Sequence, residues 1–125
     1  YKFVKGFAIS NLTNNRNSLK GLNAKEIEKY PGGISGLPVK ELSTSMVRKV
    51  YEKTNGKYAI IGIGGVFTAE DAYEKIKNGA SLVELITGMI YRGPTLMKEI
   101  NQGLVLKLKK GGFKHVNEAV GYKLK

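Results

Sequence analysis

The chain has 125 residues, an ordinary length for one small domain, and with 42% of them hydrophobic and 25% charged it can pack a core rather than stay disordered. It contains no cysteine and one histidine, His115, so neither a disulfide framework nor a structural zinc site is available. The formal charge of +11 invites a nucleic-acid partner, but the lysines run from Lys2 to Lys125 and only Arg16, Arg48 and Arg92 supply guanidinium forks, so no nucleic acid is expected.

Along the chain, Tyr1-Lys2-Phe3-Val4-Lys5 lacks the pattern of a signal peptide and reads as a cut end. No apolar run approaches the ~18 residues of a membrane span. Phe7-Ala8-Ile9 is a short buried strand that feeds a polar segment beginning Ser10-Asn11. From Asn11 to Pro38 there is little periodicity, and Pro31-Gly32-Gly33 and Gly36-Leu37-Pro38 mark turns. A loop this long is a functional loop or a linker, and its lack of low complexity favours the former. Leu42, Met46 and Val50 at four-residue spacing, with Ser43 as a cap and Asn55-Gly56 as a stop, predict a helix over 42–54.

Tyr58 to Ile63 is a continuous apolar run of the parallel-strand type. Thr68-Ala69-Glu70-Asp71 has capping-box spacing and opens a helix that closes at Asn78-Gly79. Leu82 to Ile86 is a third strand, in which the carboxylate of Glu84 needs either a partner or a solvated seam. After Gly93, Pro94 fits the first position of a helix carrying Leu96, Ile100 and Leu104 on one stripe. Gly111-Gly112 ends that helix, with Lys107 to Lys110 in its last turn where cations meet the negative end of the dipole. A short helix over Val116 to Val120 follows, and His115 reads as a surface residue.

The alternation of strand, helix, strand, helix, strand, helix predicts right-handed βαβ units on a parallel sheet. Three parallel strands do not close a barrel and leave bare edges, so further strands are expected from an upstream segment or another chain. In such folds ligands bind at the carboxyl ends of strands. The residues there are Ser10 and Asn11, Gly64 and Gly65, and Thr87 and Gly88. Glycines at strand ends let backbone N–H groups approach an anion, and a helix start just downstream adds favourable partial charge, which fits a phosphate. Ser35-Gly36 can close over it from the long loop. The alternative is that the glycines only make tight turns, and Asn11 is equally readable as a ligand group or a turn former.

Taken together, Ile9-Ser10-Asn11-Leu12-Thr13-Asn14-Asn15-Arg16, Gly32-Gly33-Ile34-Ser35-Gly36-Leu37-Pro38, Ile60-Ile61-Gly62-Ile63-Gly64-Gly65-Val66, Gly79-Ala80-Ser81-Leu82-Val83 and Tyr91-Arg92-Gly93-Pro94 resemble the membrane-associated, quinone-using class of dihydroorotate dehydrogenases over nearly the whole chain. The resemblance implies an α/β fold in which residues 1–125 are the carboxyl-terminal half of an FMN-binding (β/α)8 barrel. It implies FMN contacts from Ser10, Ser35, Gly36, Gly64, Gly65, Ile86, Thr87 and Gly88, with Gly65 and Thr87 near the phosphate. Asn11 and Leu12 would meet the pyrimidine substrate. Leu12 stands where the family has a threonine, so only a backbone contact is left there, Ile86 replaces a usual tyrosine and Glu84 a usual glutamine.

The implied reaction is oxidation of dihydroorotate to orotate in pyrimidine biosynthesis, with ubiquinone reoxidising the flavin. The implied catalytic serine, the flavin-side lysine and the membrane-associating region lie upstream, so no catalytic residue and no metal ligand is assigned here. The implied location is the mitochondrial inner membrane in a eukaryote, or the cytoplasmic membrane in a bacterium. Two rival readings are another FMN- or phosphate-binding barrel enzyme, since Gly-Gly phosphate loops are shared among them, and a basic binding module supported by charge alone.

Overall fold

A computed structural model describes residues 3–16, 27 and 29–124 of the chain. Three parallel strands, β1 (Gly6–Ile9), β2 (Ala59–Ile63) and β3 (Leu82–Glu84), pair in chain order. Gly6 lies opposite Ala59 and Ile9 opposite Gly62, while Ile61 lies opposite Leu82 and Ile63 opposite Glu84. That register brings the carboxyl ends of the strands to one rim. Helix α1 (Lys40–Thr54) connects β1 to β2 and α2 (Ala69–Lys77) connects β2 to β3, as expected for βαβ units. Helices α3 (Thr87–Arg92), α4 (Leu96–Lys110) and α5 (Val116–Ala119) complete the chain.

Burial along β2 alternates. Ile60 and Gly62 are buried, Ile61 and Ile63 are half-buried, and Ala59 is exposed. Only one face of the strand is therefore fully covered, although its unbroken apolar run suits a strand covered on both. Ile9, Val47, Ile60 and Ala80 form one core cluster, with Val50 and Tyr51 against it. Val66, Ala72, Leu96 and Ile100 form a second, with Val83, Leu85 and Leu104 alongside.

Several boundaries differ from the sequence expectations. Helix α1 starts at Lys40 behind a 3-10 turn, Leu37–Val39, and its N-cap is Val39. Ser43 lies inside the first turns and is fully buried, so it caps nothing. Strand β3 stops at Glu84, and the segment that follows forms α3, a six-residue helix that has no strong apolar period to announce it. Helix α4 starts at Leu96 because Pro94 and Thr95 form a turn. The capping of α2 is as expected: Thr68 Oγ1 accepts from the N–H of Asp71, 3.2 Å away. The terminal lysines of α4 and the exposed position of His115 also agree with the sequence. Glu84 is exposed and joins none of the ion pairs among the described residues, so none of these supplies the partner that its position calls for. Of the long loop, residues 17–26 and 28 lie outside the described residues, as do residues 1 and 2 of the expected cut end.

Candidate anion site at the strand ends

The loop after β1 is tied back to its own return. Thr13 N–H donates to Ile34 O at 3.0 Å and Ile34 N–H to Thr13 O at 2.8 Å, a single antiparallel bridge. The Arg16 guanidinium donates to Ile27 O, Tyr30 O and Gly32 O at 3.0–3.1 Å, so one fork holds three carbonyls of the returning chain. The consequence is positional: Ser35 and Gly36 are carried back to the rim, where Ser35 Oγ lies 3.1 Å from Thr87 Oγ1.

Two glycines set the spacing of the other loops. Gly65 has φ +69°, and a Cβ there would lie 2.4 Å from Lys40 Cα, so the β2 loop passes directly under the first residue of α1. At Gly88 a Cβ would lie 2.3 Å from Val66 O, so the start of α3 packs on the same loop with no room for a side chain. No residue but glycine permits either approach. Ser10, at the end of β1, joins them through its N–H, which donates to Ile63 O at 3.2 Å.

These loops enclose a cleft of about 180 Å³. Every residue expected to meet a cofactor or substrate lines it: Ser10, Asn11 and Leu12 from the first strand end, Ser35 and Gly36 from the long loop, Gly64 and Gly65 from the second strand end, and Ile86, Thr87 and Gly88 from the third. Val39, Ile63, Val66 and Leu85 complete the lining. Sequence reasoning passed over these four because an apolar residue beside a strand end looks the same whether it faces a ligand or the core. Asn11 and Leu12 are exposed, and Leu12 also packs against Gly33, whose Cβ would stand 2.6 Å from Leu12 Cβ.

The donor set suits an anion. Among the described residues, no protein acceptor takes up the N–H groups of Gly64, Gly65, Thr87 or Gly88, and Gly65 and Gly88 are buried. These residues line the cleft, so a phosphate placed among their N–H groups would receive hydrogen bonds that the chain does not make itself. The chemistry of the lining thus fits the anionic tail of a nucleotide such as FMN. Among the described residues there is no cluster of side chains that could hold a metal ion, and no helix is long and apolar enough to cross a membrane.

Beneath the cleft lies a buried polar network that the sequence did not announce. Lys75, on α2, is fully buried, and its Nζ donates to Ser43 Oγ at 2.9 Å and Thr44 Oγ1 at 3.1 Å, both on α1. Ser43 Oγ in turn donates to Ile63 O. Burial pushes the Lys75 ammonium down from 10.5 to about 8, with Asp71 opposing that shift and Lys40 adding to it. Asp71 pairs with Lys40 and accepts from Phe67 N–H at 3.0 Å and Thr68 Oγ1 at 2.9 Å. Burial disfavours its charge, but Lys40, Phe67 and Thr68 outweigh that and hold the carboxyl below its usual range.

Comparison with known proteins agrees with the motifs. The family model for dihydroorotate dehydrogenase matches residues 3–108. The chain is 48% identical over 122 residues to the dihydroorotate dehydrogenase (quinone) of Crocosphaera subtropica, covering 94% of this chain and 32% of that protein. With the enzyme of the same description from Deinococcus radiodurans it is 46% identical over 118 residues, covering 94% and 31%. Among solved structures, ligand-free DHODH from Eimeria tenella superposes with a TM-score of 0.88 at 39% identity, over 97% of this chain and 33% of that one. The chain therefore spans about a third of the length of the relatives it matches.

Proposed function

This chain belongs to the dihydroorotate dehydrogenase family, and from that premise we propose that it supplies the carboxyl-terminal FMN-binding part of an enzyme that oxidises dihydroorotate to orotate with a quinone as acceptor, in pyrimidine biosynthesis. The observation that carries the proposal is the convergence of Ser10-Asn11, Ser35-Gly36, Gly64-Gly65 and Thr87-Gly88 on one cleft from four separate stretches of chain. FMN, when bound, supplies the hydride acceptor. The N–H groups of Gly64, Gly65, Thr87 and Gly88 bind its phosphate, and Gly36 and Ser35 close over it from the long loop. Asn11, exposed at the rim, offers an amide that both donates and accepts, as a pyrimidine's imide edge requires.

Leu12 and Ile86 contribute apolar wall where the family resemblance implies a hydroxyl and a phenol. They offer apolar surface at the rim without adding a side-chain hydrogen bond. The proton-abstracting serine and the membrane-associating region belong to the rest of the enzyme, with which this segment completes the barrel. A quinone acceptor places that enzyme at a membrane.

The test uses the complete enzyme. FMN is expected to co-purify with it, and orotate to shift the flavin absorption spectrum. Asn11→Ala should retain FMN and lose the orotate-induced shift. A complete protein that binds no flavin, or whose flavin spectrum is indifferent to orotate, would overturn the proposal.

A further inference from the structure

The buried network under the cleft converges on one atom. Ile63 O ends β2 immediately before Gly64, and it accepts from Ser10 N–H on one side and from Ser43 Oγ on the other. An ammonium has three donors and no acceptor, so the Ser43 hydroxyl, facing Lys75 Nζ at 2.9 Å, receives a hydrogen from it and must send its own single hydrogen elsewhere. The available acceptor is Ile63 O. We propose that Lys75, which does not line the cleft, is a positioning residue of the anion site. By donating to Ser43 it locks that hydroxyl onto the Ile63 carbonyl, and so fixes the backbone from which Gly64 and Gly65 reach the cleft.

Packing supports the same role. The Lys75 stem lies over Gly62, where a Cβ would meet Lys75 Cδ at 3.1 Å, and a Cβ on Gly64 would meet Ser43 Cβ at 3.5 Å. The charged groups that act on the ammonium are Asp71 on its own helix and Lys40 on α1, while β2 presents Gly62, which does not ionise, to the lysine stem. Lys75 titrates near 8. A neutral amine is able to accept from Ser43, and the hydroxyl is then free to turn away from Ile63, so the lock weakens in mildly alkaline solution.

The inference rests on the FMN reading above, and the experiment separates the two. Apoprotein of the complete enzyme is titrated with FMN and with riboflavin, which lacks the phosphate, between pH 6.5 and 9.5, with flavin fluorescence as the readout. Lys75→Met and Ser43→Ala are each expected to weaken FMN about tenfold, equivalent to ~1.4 kcal/mol, and to leave riboflavin within about twofold, since only the phosphate loop is displaced. Ser43→Thr, which keeps the hydroxyl, should restore FMN affinity. Wild-type FMN affinity should fall above pH 8, and that fall should vanish in Ser43→Ala. If Lys75→Met does not fold, Ser43→Ala and the wild-type pH profile decide alone. Equal losses for FMN and riboflavin, or no loss for either, overturn the inference while leaving the FMN site standing. A wild-type protein that binds no FMN overturns both.

Discussion

Gly65→Ala tests how tightly the candidate anion site is built into the fold. Two costs add. A Cβ at φ +69° is strained by about 1–2 kcal/mol. The same atom would sit 2.4 Å from both Lys40 Cα and Cβ and 2.8 Å from Lys40 N, so the helix start has to move, which costs a further ~1–3 kcal/mol. The expected loss of stability is thus about 2–5 kcal/mol. Gly112 is the natural control: its φ is +75°, but nothing lies within 4 Å of an added Cβ, so Gly112→Ala carries the conformational cost alone. Urea denaturation of both variants of the complete enzyme, with an FMN titration alongside, isolates the clash. Gly65→Ala should be the less stable by at least ~1 kcal/mol and should bind FMN at least tenfold more weakly, whereas Gly112→Ala should bind FMN as the wild type does. Equal stabilities for the two variants, or an unchanged FMN affinity in Gly65→Ala, would refute the claim that this loop is wedged against α1.

Three further outcomes follow from the buried network and its cap. Because the folded Lys75 titrates near 8 and an unperturbed lysine near 10.5, the unfolded chain binds more protons between those values and wild-type stability rises with pH across that window. Lys75→Met removes this rise, so its stability relative to wild type should be more favourable at pH 7 than at pH 9.5 by about 2 kcal/mol; a difference that does not change with pH refutes the burial of a titrating ammonium. Asp71 has the opposite sign: its carboxyl is held below the ordinary 3.8, so its contribution is present above about pH 4 and is lost as pH falls through the lowered folded value. Asp71→Asn should therefore be clearly destabilised at pH 7, and its deficit relative to wild type should shrink as the pH is lowered below about 4, as read by denaturation across that range. Thr68→Ala should cost about 1 kcal/mol by urea denaturation through loss of the α2 cap, while Thr68→Ser should cost less than half of that.

Much of the molecule is written locally in the chain. Thr68 with Asp71, and Asn78 with Gly79, delimit α2 because a cap and a stop depend on residues three or four positions away. The glycine and serine positions at the strand ends were legible for a related reason: in a parallel sheet the residue after each strand reaches the same rim whatever the intervening helices contain. Helix α3 escaped notice because six residues carry too little period to distinguish a helix from the end of a strand.

What the sequence determined by itself is the alternation of strands and long helices, the parallel sheet and the strand-end residues Ser10, Asn11, Gly64, Gly65, Thr87 and Gly88 that meet at its rim, all of which follow from short-range pattern and the fixed geometry of βαβ units. Tertiary structure alone decided that Ser43 is a buried hydroxyl and not a helix cap, that Lys75 is a buried cation and not part of a solvated face, and that Gly65 and Gly88 are glycines because other backbones occupy their side-chain space. The reason is distance along the chain. Ser43 and Lys75 are separated by 32 positions, and burial of a polar group depends on the partner packed opposite it, which no local pattern specifies.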